Sequence, residues 1–502
     1  MKILLVDPPG KNKGLNTWLG YLSALLKENH EVKILDLNNI ELGLCGDPNP
    51  EMPINELEER IIEAVDQFEP ELFGVSVKAF TAEIAKYIFK FIKAERPEII
   101  TIVGGPHIAL DGFKFIQENS IDFGIQGEGE YTTLQLCNAL AGNGGMENIE
   151  GIFYWGNGQL IHNPRSNTIK DLDVIPFPYY DNFSSIIVNG GYLREYPLLT
   201  SRGCPYNCSY CSMPKIMGGR WRFHTHKRVI EELKHAKNKY HSTSFTVVDD
   251  NFTLNLERVE DICDQLISQK LNLPWNSQNG IRADRISKGL AKKMKLSGCK
   301  YVWIGIECAD EDVFKSVNKG ETLKDITKGI KHLKSAGIQV GGFFIVGLPH
   351  STREADLKSI DFVKECKIDG WWFNFVPYPH TQAWKWVQTH AKVLRPSDGA
   401  LQFGTDDIDP VFETEEYTKE SRMKTYDEIH IKMKYFDRLA DPSLKQWNKW
   451  PRVFKKVLPY GFGTILSLLI FILKHNAKLA LKKIRNSTSQ RTRRILNAFP
   501  TE

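Results

Sequence analysis

Through the first 140 residues of this chain, short runs of Ile, Val and Leu alternate with helix-length amphipathic runs, and that alternation leaves few folds open. "MKILLVDPP", "EVKILDL", "LFGVSVKAF", "IITIVGG" and "DFGIQG" read as strands. "TWLGYLSALLKEN", "INELEERIIEAVDQF", "TAEIAKYIFKFIKAE" and "GEYTTLQLCNALAG" read as helices. Strands separated by helices of this length pair in parallel, with helices on both faces. The near-continuous aliphatic runs fit burial on both sides. "GIFYWGNGQLIHNP" changes the pattern to two short strands about a Gly-Asn-Gly turn, and "VIPFPYYD" reads as a linker. From Leu198 a second series begins, with strands "YPLLTS", "SFTVVDD", "WNSQNGI", "YVWIGIE", "VGGFFIVG" and "WWFNFVPY". Six such units suggest a partial parallel barrel, whose chemistry sits at the C-terminal ends of its strands. The expected fold class is α/β. A doubly wound, Rossmann-like parallel-sheet domain spans 1–145 and a hairpin and linker 146–195. A partial (β/α)6 barrel follows over 196–390, then a mainly helical region over 391–502.

At the end of the first barrel strand stands "SRGCPYNCSYCSMP", which crowds Cys204, Cys208 and Cys211 together in a chain with nine cysteines. A chance C-x3-C-x2-C at that cysteine content arises in about 0.3% of chains, so the spacing asks for a reason. Pro205, Asn207 and Ser209 are loop residues, which argues against three incidental core cysteines. Structural zinc wants four ligands, usually as two pairs, and only His224 and His226 lie near. Three thiolates suit a four-iron–four-sulfur cluster that leaves one iron open to bind a small molecule. The other six cysteines (Cys45, Cys137, Cys263, Cys299, Cys308, Cys366) are scattered singly, which is no disulfide framework. Met1 leads straight into "KILLVDPP" without the pattern of a signal peptide, so a reducing cytosol is expected.

With Tyr210 just before the third cysteine, this motif resembles the radical S-adenosylmethionine superfamily. The resemblance covers about 195–390 and takes in "VVDDNFT" (Asp249, Asp250), "NGIRAD" (Arg282), "GIEC" (Glu307), "FFIVGLP" (Gly347) and "FVPYPHT" (Tyr378). It implies that the open iron chelates S-adenosylmethionine and that Tyr210, Asp249, Asp250, Arg282, Glu307, Gly347 and Tyr378 surround that ligand. Chemistry agrees in outline: a sulfonium zwitterion needs carboxylates near its cation and a donor such as Arg282 near its carboxylate. Structural roles for Arg282 and Glu307 as salt-bridge partners stay open. Asp249 and Asp250 are adjacent, so at most one is expected to face the site. His380 replaces the glycine usual in the turn after the sixth strand.

Upstream, "VDPPG" (Pro8), "SVKAF" (Ser76, Val77, Lys78), "GGPH" (Gly104, Gly105, His107) and "GEGE" (Gly127, Glu128, Gly129) fall at successive strand ends. Ligands bind just outside those ends in open α/β sheets, although glycine there is also an ordinary turn residue. In this order, directly before a radical module, the segments resemble the cobalamin-binding domain of cobalamin-dependent radical enzymes, and the ten residues just named are the implied contacts. The D-x-H-x-x-G motif that supplies a cobalt ligand in many cobalamin proteins is absent.

The expected function is that of a cobalamin-dependent radical enzyme. The foremost reaction is methylation of an unactivated carbon or phosphinate-type centre through methylcobalamin and a 5′-deoxyadenosyl radical. The alternative is a non-methylating radical reaction such as oxidative cyclisation or ring contraction. Implied partners are a small, hydrophobic substrate and an electron donor such as flavodoxin or ferredoxin. The net charge of +4 conceals a basic tail: residues 474–502 hold eight Lys/Arg and one acid. The remainder is slightly acidic, which argues against nucleic acid. "LPYGFGTILSLLIFIL", with flanking Trp and Lys, is interrupted by Pro459, Gly461 and Gly463 and is too short to span a bilayer. It reads either as peripheral membrane contact through 451–494 at the inner face, or as a helix packed on the barrel.

Overall fold

Five aliphatic strands form the centre of the first sheet: β1 (Lys2–Asp7), β2 (Glu31–Asp36), β3 (Leu72–Ser76), β4 (Ile100–Gly104) and β5 (Phe123–Ile125). They run parallel in the order β2-β1-β3-β4-β5. Helices α1 (Thr17–Leu26), α2 (Ile54–Phe68), α3 (Ala82–Glu95), α4 (Pro106–Glu118) and α5 (Glu130–Leu140) alternate with them. Ile3, Leu4, Leu5 and Val6 are all buried, as a two-sided strand requires. Strand order reverses between β1 and β3, which opens a crevice at the C-terminal edge. This computed structural model describes residues 1–10, 14–39, 52–142, 144–165, 168–396, 409–435, 446–461 and 463–474.

The hairpin expected to begin a separate linker belongs to this sheet instead. Strands β6 (Ile152–Gly156) and β7 (Gln159–Asn163) add to the β5 edge antiparallel. The cause is apolar: buried Phe153 lies over Gly124 of β5, where an added Cβ would strike its ring and Ile116. Asn157 and Gly158 both have positive φ, the geometry of a tight hairpin turn.

The second sheet contains β8 (Glu195–Leu198), β9 (Ser244–Val247), β10 (Trp275–Ile281), β11 (Cys299–Glu307), β12 (Gln339–Val346) and β13 (Asp369–Asn374). All pair in parallel in chain order, with β8 and β13 left as edges, so the barrel is open. Helix α6 (Met213–Met217) follows β8. Then come α7 (His226–Lys239), α8 (Leu256–Ser268), α9 (Lys288–Leu296), α10 (Leu323–Ser335), α11 (Arg353–Cys366) and α12 (Gln382–His390). Thr225, Asn255, Ser287, Thr322, Thr352 and Thr381 cap α7 to α12, each accepting from an amide three residues on. Aromatic side chains pack across the strands of this sheet: Trp303 of β11 stacks on Phe343 of β12 at 4.6 Å and meets Trp371 of β13 edge-on at 6.2 Å.

Both sheets lie in one compact unit, Met1–Arg422, so the segment after 390 belongs in part with the barrel. Met423–Glu502 forms a second unit. In it the end of α13 (Lys419–Lys432), α14 (Gln446–Val457) and α15 (463–474) bury Ile431, Val453, Val457 and Leu468 together. Among the described residues no helix is long and apolar enough to cross a membrane. Residues 475–494 of the segment expected to touch a membrane lie outside the described residues.

Beyond β12 the chain turns at Gly347, whose amide donates to Asp356 Oδ2 at 2.9 Å. Ser351 Oγ and Tyr417 OH also donate to this carboxylate. Burial nevertheless pushes Asp356 up to about 6 from its usual 3.8. A carboxyl raised in the folded state favours folding while protonated. That contribution is present below about pH 4 and is lost as pH rises through about 6. Asp356→Asn keeps all three partners, with Nδ2 facing Ser351. Its melting temperature should therefore fall less steeply between pH 4 and 7 than that of the wild type, and matching slopes would refute this assignment.

Candidate functional site

The loop from Thr200 to Ser212 joins β8 to α6 and carries the three cysteines. Its start is clamped from the end of β9. Asp249 is fully buried and accepts from Thr200 N and Oγ1, each at 2.5 Å, and from Ser201 Oγ at 2.6 Å. Asp250 accepts from Gly203 N at 2.9 Å, and Asn251 Nδ2 lies 3.6 Å from Cys204 Sγ. The resemblance implied both aspartates as ligand contacts, while their adjacency allowed only one to face the site; internal donors occupy the Asp249 carboxylate.

The loop's middle is pinned by backbone: Ser209 N donates to Val317 O, and Ala383 N of α12 donates to Ser209 O, both at 2.8 Å. Two tyrosines then stand on a chain of buried charges. The Tyr206 ring covers the Arg282 guanidinium at 3.8 Å. Arg282 donates to Lys319 O at 2.6 Å and Gly320 O at 3.2 Å, and lies 3.7 Å from Glu321. Lys319 Nζ pairs with Glu321 at 3.0 Å and with Glu307 at 3.1 Å. Glu307 in turn contacts the Tyr210 hydroxyl, and burial together with that carboxylate drives the phenol far above its ordinary range. Arg282 and Glu307 are thus joined through Lys319 and Glu321, which no sequence motif marked. The Arg282 guanidinium is engaged by protein groups and supports the loop, the salt-bridge role that the sequence left open.

Burial pushes the Cys208 thiol up to about 11 and the Cys211 thiol up to about 12, with the neighbouring cysteines adding to both shifts. These are protonated side chains at neutral pH that release protons on binding iron. No three His, Cys, Asp or Glu among the described residues close around one point, as a single ion requires. The donor set fits a multi-iron cluster, in which each thiolate meets a different iron. His224 faces Asp173 and His226 faces Asp261, so neither joins the cysteines. Tyr378 is half-buried, and desolvation and then the Cys211 charge raise its pKa. Gly347 has no room for a side chain, since a Cβ would lie 2.7 Å from Arg422.

Beside this loop lies a cavity of about 270 Å³ at the crevice of the first sheet. Leu5, Val75, Ser76, Gly104 and Gly127 line it from strand ends, and Trp18 from α1. Lys78, Gly105, Gly129 and Glu130 also contribute. Met213, Ile216 and Met217 of α6 close it from the barrel side, and Asp250 reaches its wall. Gly105 (φ 106°) packs so tightly that a Cβ would lie 2.5 Å from Val77 O. This glycine-lined, largely apolar cradle fits a flat macrocycle partly enclosed against the sheet edge.

Of the residues predicted to touch cobalamin, Ser76, Lys78, Gly104, Gly105, Gly127 and Gly129 line the cavity; Pro8, Val77, His107 and Glu128 do not. Val77 is buried beneath Gly105, accepting from His107 N. The His107 ring packs edge-on against Phe115 two turns along α4, at 5.3 Å. Glu128 turns away into an ion cluster, accepting from Arg202 at 3.0 Å and Arg222 at 2.7 Å, with Arg165 at 3.5 Å. Burial by itself would raise the Glu128 carboxyl, but these arginines outweigh it and hold it below its usual range. Sequence reasoning missed Asn16, Trp18 and α6. Their only signals were a helix N-cap and a methionine-rich turn after the cysteines.

A three-cysteine loop at the mouth of an open (β/α)6 barrel, beside a glycine-lined crevice, defines a two-cofactor radical enzyme. The B12 binding domain family matches residues 10–136, and the radical SAM superfamily matches residues 198–363. An uncharacterized methyltransferase of Pyrococcus horikoshii is 31% identical over 441 residues, covering 86% of this chain and 92% of the relative. An anaerobic magnesium-protoporphyrin IX monomethyl ester cyclase of Rubrivivax gelatinosus is 24% identical, covering 76% and 68%. Among solved structures, the radical S-adenosylmethionine methyltransferase TsrM of Kitasatospora setae shares the fold with a TM-score of 0.63. It is 16% identical, and the match covers 77% of this chain and 76% of that one. The chain belongs to the cobalamin-binding radical S-adenosylmethionine enzymes. Its cofactors are a four-iron–four-sulfur cluster, S-adenosylmethionine and cobalamin.

Gly105→Ala tests the cradle. Forcing a Cβ against Val77 at this φ should destabilise the fold by about 1–3 kcal/mol. It should also weaken cobalamin uptake, read by thermal melting and by absorbance after anaerobic reconstitution. Unchanged melting and uptake would show that the glycine is dispensable.

Proposed function

We propose that this enzyme methylates an unactivated carbon, or a phosphinate-type centre, of a hydrophobic small molecule. The observation that supports this reading is a shared wall. Helix α6, which closes the cavity, begins two residues after Cys211, and Asp250 holds the loop while reaching the same cavity. When bound, the cluster with S-adenosylmethionine supplies a hydrogen-abstracting radical, and cobalamin supplies the methyl group. The chain's own part is placement: Gly104, Gly105 and α6 seat the macrocycle, while Tyr206 and Tyr210 hold the cysteine loop on the charges beneath it. Two reactive groups fixed across one cavity meet at high effective concentration. The similarity to a cyclase favours a second reading, a radical cyclisation without methyl transfer. Turnover with methyl-labelled S-adenosylmethionine separates them: label in the product is expected, and its absence alongside turnover would leave the cyclisation. Cys208→Ala should abolish 5′-deoxyadenosine formation, and persistence of that product would refute the cluster assignment.

We also propose flavodoxin or ferredoxin as the one-electron donor, and contact between the second unit and the inner face of the membrane. Helix α15 is apolar on two sides. Ile465 and Leu468 pack inward, while Leu466, Leu469, Ile470 and Leu473 are 44–70% exposed. An outward row at i, i+3, i+4 and i+7 beside the basic stretch 474–502 suits an anionic lipid surface. Full-length protein should float with anionic liposomes and Leu469→Glu/Leu473→Glu should not; equal flotation of both, or none by the full-length chain, would defeat this contact.

A further inference from the structure

Side chains on β11, β12 and β13 alternate between the two faces of the second sheet. Val302, Ile304, Phe344 and Trp372 take the face that helices cover and are buried. Trp372 Nε1 donates to Ser359 Oγ of α11 at 2.8 Å, and the Phe344 ring meets Phe362 of the same helix at 6.2 Å. The residues between them make the inner face of the open barrel. There Trp303, Phe343 and Trp371 keep part of their ring surface exposed, although their neighbours along each strand are buried.

These rings are laid out as a platform. Trp303 lies parallel to Phe343, with 6° between the planes and 4.6 Å between centroids. Gly341, the cross-strand partner of Trp303, makes the arrangement possible, because a Cβ there would lie 2.5 Å from the Trp303 ring. Trp371 stands at 86° to Trp303 and forms a side wall. Farther along the sheet, Thr246 of β9 donates to Asn276 of β10 at 2.6 Å, so these polar groups answer each other. The upper end of the platform reaches the support of the cysteine loop. Gly305 pairs with Phe343 across the strands, and a Cβ on Gly305 would lie 2.5 Å from Glu307 Oε1 and 2.9 Å from Lys319 Nζ.

We infer that Trp303, Phe343 and Trp371 are specificity-determining residues that seat a planar aromatic group of the substrate on the inner face of the barrel, below the cysteine loop. A flat ring stacks on two coplanar rings and meets the edge of a third, whereas a puckered saturated ring of the same size does neither. The inference rests on the proposed reaction of a hydrophobic small molecule and narrows that molecule to an aromatic one.

The test uses full-length protein loaded with cluster and cobalamin, so that the crevice of the first sheet is filled. The probes are naphthol and its saturated counterpart decalol, each titrated anaerobically by calorimetry. The wild type should bind naphthol about three- to tenfold more tightly than decalol, the scale of an aromatic stacking preference. Trp303→Leu should bring the two probes to parity, and Trp303→Phe, which keeps a ring, should retain the preference. Thermal melting of each variant controls for folding. If Trp303→Leu melts early, Phe343→Leu decides, since it removes the other ring of the stack with a smaller change in volume. Equal affinity for the two probes, no binding of either because a segment of this chain fills the barrel, or an undiminished preference in a folded leucine variant overturns the inference. Binding is read without turnover, so each of those results leaves the methyl-transfer reading standing. Turnover that leaves no methyl label in the product overturns that reading and leaves the aromatic seat in place.

Discussion

One buried carboxylate, Glu128, ties the two sheets together. It sits between Gly127 and Gly129, which line the crevice, and it gathers Arg202 and Arg222 from two short antiparallel strands, Ser201–Arg202 and Arg222–Phe223, that flank the cysteine loop and α6. Arg165, just beyond the hairpin, completes the set. Three arginines about one carboxylate would be ruinous in a dry interior without close pairing. Removing one partner from such a buried pair typically costs about 3–5 kcal/mol. The same geometry fixes the distance between crevice and cysteine loop, because both are anchored within two residues of this cluster.

A second charged chain does comparable work at the barrel mouth. Arg282, Glu321, Lys319 and Glu307 alternate in sign, so each buried charge is answered by the next. Tyr206 and Tyr210 rest on its two ends. The cysteine loop is held by side chains from successive strand ends and by backbone bonds to Val317 and Ala383, and its own short helix closes the neighbouring crevice. Radical chemistry needs reacting groups held in place and water kept away, and a loop braced from both sides serves the first need.

Much of this was legible in the chain. Aliphatic runs and helix periodicity carried both parallel sheets, because strand burial and helix amphipathicity are local patterns. The cysteine spacing and the glycine-rich strand ends marked the loop and the crevice that the fold sets side by side. Other features were not legible. The hairpin at 152–163 reads as a linker until Phe153 is seen to cover Gly124. Glu128 looked like a ligand contact because it lies inside "GEGE", but its side chain leaves the strand end on the side of the arginines, while its neighbours face the crevice. His107 and Asp249 share that fate: motif position located their backbones, whereas packing on Phe115 and bonds from Thr200 and Ser201 turned their side chains elsewhere.

By itself, the sequence determined the two α/β modules, their order, the three-thiol loop and the glycines on which a flat cofactor can lie. Each of these follows from residue type and local spacing. Only the tertiary structure decided which charges meet. Glu128 and Arg222 are 94 residues apart in the chain, Arg202 lies at the cysteine loop while Glu130 opens α5 of the first domain, and Lys319 reaches back 12 residues to Glu307. Partners of that kind are chosen by desolvation, since a buried charge must find its opposite wherever the fold brings one near, and no local pattern in the sequence records where that is.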